Sequence, residues 1–237
     1  MGKIARAKTA KLLRLAKSVW RATTAGELRG GSGGLYACDT MDILREIGNI
    51  GMAHAATALA ILLNERVDIG IPDVHMLNRA EIFEALGERL NGDGYHTLEL
   101  GVTEDLTGHI VHVMNKVSAK NIVKAIFGGM LPEGVDLDEM SGSVINEMGN
   151  ITSAAYVNAL AELTGLFIDI TPPRSCENLK DGLSRVFNAD ENKRVLFTRN
   201  TFHVRDALIE SHLVFVPDSD MSFVTHKTHQ WYNERQK

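Results

Sequence analysis

The sequence predicts an α+β fold: tandem duplicated α/β units with pseudo-twofold symmetry, two long exposed helices packed on a largely antiparallel sheet. Three observations carry this expectation. A four-residue pattern occurs twice, 101 positions apart, as Asp42-x3-Glu46-x2-Asn49-x22-Pro72 and Ser143-x3-Glu147-x2-Asn150-x22-Pro173. Each copy lies in a long, mostly apolar run of helical character. Each is followed by two further runs that read as paired strands.

The repeat extends beyond its four fixed positions. Between Asp42 and Pro72, 12 of 31 residues equal their partners at the same offset, among them Gly48/Gly149, Ile50/Ile151, Ala53/Ala154, Leu59/Leu160 and Asp68/Asp169. Self-similarity over this length is the mark of a duplicated unit.

Residues 1–35 read as a basic N-terminal extension and Gly-rich linker, and residues 36–237 as the folded domain. Repeat one spans about 40–136 and repeat two about 137–220. Residues 1–34 hold eight Lys/Arg and one acid, Glu27, for a net +7, whereas the remainder holds 17 basic and 29 acidic residues, for −12. The basic residues recur at three or four beside Leu12, Leu15, Ala16, Val19 and Trp20. That spacing suits an amphipathic helix touching a membrane surface or an acidic partner, and equally a disordered tail. Gly30-Gly31-Ser32-Gly33-Gly34 then reads as a flexible linker.

Asp39 or Thr40 caps a helix running to about Asn64, with the Asp42 carboxylate in its first turn. Val67 to Ile71 is a short strand closed by Pro72. Ile82 to Leu90 is a short helix, followed by a turn at Asn91-Gly92-Asp93-Gly94. His96 to Thr103 and Gly108 to Asn115 are strands joined around Glu104-Asp105. Ser118 caps a helix through Phe127, stopped by Gly128-Gly129. In the second unit Asp138 or Ser141 starts a helix to about Thr164, with Ser143 as a helix-start residue. Phe167 to Ile170 is a strand ending at Pro172-Pro173. Val195 to Val204 and Leu208 to Val216 are strands. Gly108-His109-Ile110-Val111 and Ser211-His212-Leu213-Val214 hold equivalent places. No helix comparable to 118–127 is evident in the second unit.

Composition narrows the function. With 237 residues, 44% of them hydrophobic, the chain can bury a sizeable core. It has no run of 18 apolar residues free of polar side chains, so a membrane span is not expected. Two cysteines, Cys38 and Cys176, make no disulfide framework, which points to a reducing cytoplasm. The acidic body disfavours nucleic acid as a partner. His109 and His112 face opposite sides of a predicted strand, and His226-x2-His229 has no third ligand, so no metal is expected. His54 reads as a hydrogen-bonded core residue. Gly128-Gly129 lacks the strand–loop–helix setting of a phosphate loop, so no nucleotide cofactor is expected either.

The chemistry lies in the repeated pairs. Residues three apart share a helix face, so Glu46 and Asn49 point the same way, as do Glu147 and Asn150. Asn is a poor helix former because its amide competes for backbone hydrogen bonds. Gly beside it costs about 1 kcal/mol relative to Ala. One such pair could be a polar residue tolerated at a solvated edge, with Gly48 or Gly149 allowing close helix packing. Two copies of Glu-x-Gly-Asn favour function.

The doubled pattern resembles the CheC/CheX/FliY phosphatase family of chemotaxis signalling over roughly residues 36–220, and its CheC type most of all. The resemblance implies an enzyme, a protein-aspartyl-phosphate phosphatase acting on the response regulator CheY-P. Asn49 and Asn150 would each orient a water in line with the phosphorus, and Glu46 and Glu147 would dock to the regulator's Lys. The Mg²⁺ would be supplied by the regulator, so the chain needs no cofactor of its own. The alternative implied is a CheD-binding adaptor with little phosphatase activity. An amide can hold a water and a phosphoryl oxygen together, and phosphoryl transfer depends mainly on positioning and electrostatics. Gly48 and Gly51 would leave room beside Asn49 for the partner's backbone, as Gly149 would beside Asn150, where Thr152 replaces the second Gly.

Overall fold

The computed structural model describes residues 40–86, 94–126, 137–176, 178–187, 190, 192–219, 222–224, 226–227 and 230. The basic extension, the Gly-rich linker, Cys38, Gly128-Gly129 and His229 lie outside these residues.

Helix α1, Thr40–Leu63, follows from its apolar spacing: Ile43, Leu44, Ile47, Met52, Ala55, Leu59 and Leu63 recur along one side and are buried. By length and composition its Met41–Leu63 segment could cross a membrane. Its apolar side is instead spent on the interior of the fold. Asn64 ends it with φ 51°, and Gly165, 101 residues on, ends the second long helix with φ 68°. Both are left-handed caps of the kind Asn and Gly tolerate.

After α1 come β1 (Val67–Ile69), β2 (Asp73–Leu77), α2 (Arg79–Leu86), β3 (Tyr95–Glu104), β4 (Gly108–Asn115) and α3 (Lys116–Ile126). The second half runs α4 (Leu137–Thr164), β5 (Ile168–Ile170), β6 (Arg174–Cys176), α5 (Leu179–Phe187), β7 (Val195–Val204) and β8 (Ala207–Pro217). Through its first six elements, each half therefore has the same order. Helix α4 already runs through Asp138 and Ser141, and Ser143 sits in its second turn rather than at its start.

All eight strands form one antiparallel sheet in the order β1-β7-β8-β4-β3-β5, with β2 also on β7 and β6 also on β3. The centre is the β4–β8 pair, where Val111 faces Val214. The flanks are crossed over between halves. The short strands β1 and β2 of the first half pair with β7 of the second, while β5 and β6 pair with β3 of the first. The same loop bond occurs twice: Gly70 N donates to Thr201 O at 3.0 Å, and Thr171 N to Gly101 O at 2.9 Å.

Helices cover both sheet faces. One core layer joins α1, α3 and α4 to the sheet through residues such as Leu59, Ile122, Leu160 and Phe202. The other joins α2 and α5 through Ile82, Leu183, Phe187 and Phe197. Strands β2 and β6 and helix α5 were not expected from the sequence. The first short strand stops at Ile69 rather than running to Ile71, and β5 stops at Ile170, so Pro72 and Pro173 close the loops that follow, and the chain re-enters the sheet directly after each.

Caps explain the short helices. Asn78 Oδ1 accepts from Glu81 N at 3.0 Å while Glu81 Oε2 accepts from Asn78 N at 2.8 Å, a reciprocal capping box. Asn178 Oδ1 accepts from Asp181 N at 2.9 Å at the start of α5. Asn115 caps α3, accepting from Ser118 N at 2.7 Å. Ser118, the expected cap, instead accepts from Glu210 N of β8 through its hydroxyl at 2.9 Å.

Candidate active site

The two long helices lie against each other and each carries its Glu/Asn pair away from the buried positions. Glu46 and Asn49 are exposed, on a ridge continued by exposed Ala53 and Thr57. Arg45 Nη1 and Asp42 Oδ1 pair at 3.2 Å at the head of this ridge. Both motif carboxylates and both motif amides therefore sit on helix α1 or α4, as the spacing requires. The two copies are not alike in exposure. Glu147 and Asn150 are partly buried. Burial raises the Glu147 carboxyl above its ordinary pKa. Beside it, Asn146 Oδ1 accepts from Ser175 Oγ of β6 at 3.4 Å.

The motif glycines face inward, contrary to the expectation that they leave room for a partner. A Cβ on Gly48 would lie 3.1 Å from Val74 Cγ2 and 3.8 Å from Pro72 Cβ. The motif Pro thus holds the β1–β2 loop on the motif Gly. A Cβ on Gly51 would lie 3.0 Å from the Tyr156 Cα of α4. One on Gly149 would lie 2.5 Å from Leu98 Cδ1 and 3.3 Å from His112 Nδ1. The glycines let helix meet sheet and helix meet helix closely enough to fix where the amides stand.

Beneath α4 lies a buried polar layer that the sequence did not announce. His112 is fully buried, and neither ring nitrogen has a hydrogen-bond partner among the described residues. Burial, and then the neighbouring His212, lower its pKa to about 4. On the other face of the sheet, in the layer of α2 and α5, His212 stacks on Phe197 at 5.6 Å, and burial followed by Arg199 lowers its pKa to about 4 as well. Thr152 and Ser153 of α4 are also buried. His54 is half-buried, and burial lowers its pKa against the opposing pull of Glu162. Among the described residues no three His, Cys, Asp or Glu side chains are grouped to hold a metal ion.

The CheC-like family model matches residues 40–76 and 140–176. Each segment starts in a site helix and ends on the strand that crosses to the other half. The CheY-P phosphatase CheC of Bacillus subtilis (strain 168) is 30% identical over 190 residues, covering 77% of this chain and 90% of that protein. The chain belongs to the CheC-like family. The flagellar motor switch phosphatase FliY of the same bacterium is 33% identical over 135 residues, which are 56% of this CheC-like chain and 34% of FliY. The X-ray crystal structure of Thermotoga maritima FliY shares the fold, with a TM-score of 0.63 and 23% identity over 85% of this chain and 99% of that one.

Proposed function

We propose that this CheC-like protein dephosphorylates the aspartyl phosphate of a CheY-type response regulator and does so on two faces. The observation that carries the reading is the exposed Glu46/Asn49 ridge on α1, repeated in sequence as Glu147/Asn150 on α4. The names of the relatives, CheY-P phosphatases, point to the same substrate.

In this reading the helix ridge enters the regulator's site. The Asn49 or Asn150 amide accepts a hydrogen bond from a water and donates one to a phosphoryl oxygen, so that the water is held in line with the phosphorus. A neutral amide suits this place because a carboxylate there would repel the phosphate. Glu46 or Glu147 pairs with the regulator's Lys and fixes the approach. Mg²⁺ belongs to the regulator, where it neutralises charge developing on the phosphoryl group. The water's oxygen bonds to phosphorus, the aspartyl C–O–P link breaks at phosphorus, and inorganic phosphate leaves.

Phosphate release from CheY-P tests the reading. Asn49→Ala and Asn150→Ala should each abolish turnover at their own face, by about 10²–10⁴ in rate at that face, as for other positioned catalytic groups. A double mutant that folds and keeps wild-type turnover would refute it. The same assay with CheD present tests the adaptor alternative.

A further inference from the structure

Ile71 is 92% exposed, although the residues around it are anchored. On one side, Gly70 N donates to Thr201 O at 3.0 Å, and a Cβ on Gly70 would sit 2.2 Å from Thr201 Oγ1. On the other, Pro72 is buried and lies against Gly48. A loop pinned at both neighbours cannot swing its aliphatic side chain into the core. Ile69, two residues back on β1, is 38% exposed and extends the apolar surface.

The position of this loop relates it to the first site. Gly48 touches Pro72 and Val74, and Asn49 follows Gly48 by one residue, about 100° further round the helix. The loop that carries Ile71 thus flanks α1 on the Gly48 side, about 100° from Asn49 and about 160° from Glu46, so it borders the first site on its Asn49 shoulder. The second copy differs here. Position 172, equivalent to 71 at the 101 offset, is Pro172, which has no branched aliphatic chain to offer.

We propose that Ile71 is a docking contact peculiar to the first site, packing on an apolar part of the regulator surface beside its phosphoaspartate. The proposal rests on the phosphatase reading above. Buried against a partner, one such side chain strengthens binding by roughly tenfold or more. It acts on association and leaves the water and phosphoryl positions to Asn49.

The test uses two single-site proteins. In Asn150→Ala, which retains only the first site, Ile71→Ser should raise KM for CheY-P by roughly tenfold with kcat within about twofold. Calorimetric affinity for beryllofluoride-loaded CheY, measured with the second dock also removed in a Glu147→Ala/Asn150→Ala protein, should fall in parallel, and Ile71→Leu should restore both. In Asn49→Ala, which turns over only at the second site, Ile71→Ser should leave KM and kcat for CheY-P unchanged. Unchanged KM in the Asn150→Ala protein and unchanged affinity in the Glu147→Ala/Asn150→Ala protein would overturn the proposal, as would an equal rise in KM in both single-Asn backgrounds or an Asn150→Ala protein that neither turns over nor binds. Failure of the phosphatase reading looks different, because it is full turnover without either Asn.

Discussion

Gly51 of α1 lies directly against the backbone of Tyr156 of α4, so that a Cβ on the glycine would come within 3.0 Å of the tyrosine Cα. The two helices that carry the amides are therefore in register at a point only two residues beyond Asn49. A backbone atom cannot yield as a side-chain tip can. Gly51→Val should force the helices apart and cost about 1–3 kcal/mol, the usual range for overpacking. Denaturant unfolding measures that loss. Turnover at both faces should fall together, because one crossing positions both.

The β1–β2 and β5–β6 loops offer a more exacting test. Gly70 faces Thr201, and a Cβ on Gly101 would lie 3.1 Å from Thr171 Cγ2, so the two halves make one contact with the residue types exchanged. Thr171 Oγ1 also accepts from Gly101 N at 2.8 Å. Gly70→Thr alone should destabilise by about 1–3 kcal/mol through the clash. Adding Thr201→Gly should recover much of it, since the double mutant reproduces the arrangement of the other half. Additive losses in thermal unfolding would show that the two contacts are not equivalent.

Acid stability should depend on the two buried histidines. Burial holds His112 and His212 at about 4, below the ordinary 6.5, so the folded state binds fewer protons than the unfolded state between these values. Their contribution is present above about pH 6.5 and is lost as pH falls toward 4. One such proton is worth about 1.4 kcal/mol per pH unit. His112→Leu should flatten the fall of Tm over this window. An unchanged slope would place the acid sensitivity elsewhere.

The sign reverses for Glu147. Burial raises its carboxyl, so the folded state holds that proton more tightly than the unfolded state. Its favourable contribution exists at low pH and is lost as pH rises through the raised pKa. Glu147→Gln should therefore raise Tm at neutral pH and leave it unchanged in strong acid. The same substitution should weaken CheY-P binding at the second face by removing the docking charge. A lower Tm at neutral pH would contradict the assignment.

The site helices were legible because their apolar spacing and the Glu-x-Gly-Asn core are local facts. Strand β7 was read with its observed limits, since its alternating side chains are set by the two sheet faces. Strands β2 and β6 were missed because each pairs only with a strand of the other half, more than 70 residues away in sequence, and no local pattern reports such pairing. Helix α5 was missed because Gly182 interrupts it. That glycine is there for packing: a Cβ would lie 2.9 Å from Thr97 Cγ2. Its neighbours Leu179, Leu183, Val186 and Phe187 carried a helical period that could have revealed it. The unequal exposure of the two motif pairs was not legible at all, since it depends on what packs beside each helix.

The crossed flanks of the sheet make each half a tenant of the other. The loop that packs on Gly48, next to Asn49 in the chain, hangs from β7, and the strands that follow the Asn150 helix hang from β3. Neither site has its whole scaffold within its own stretch of chain. Unfolding of one half would strip the edge that supports the other, so the two faces share one melting event rather than two. A chain whose two motif pairs differ in exposure is thereby barred from losing one of them by local disorder; side-chain substitution on the helix is what can silence one face and leave its twin standing.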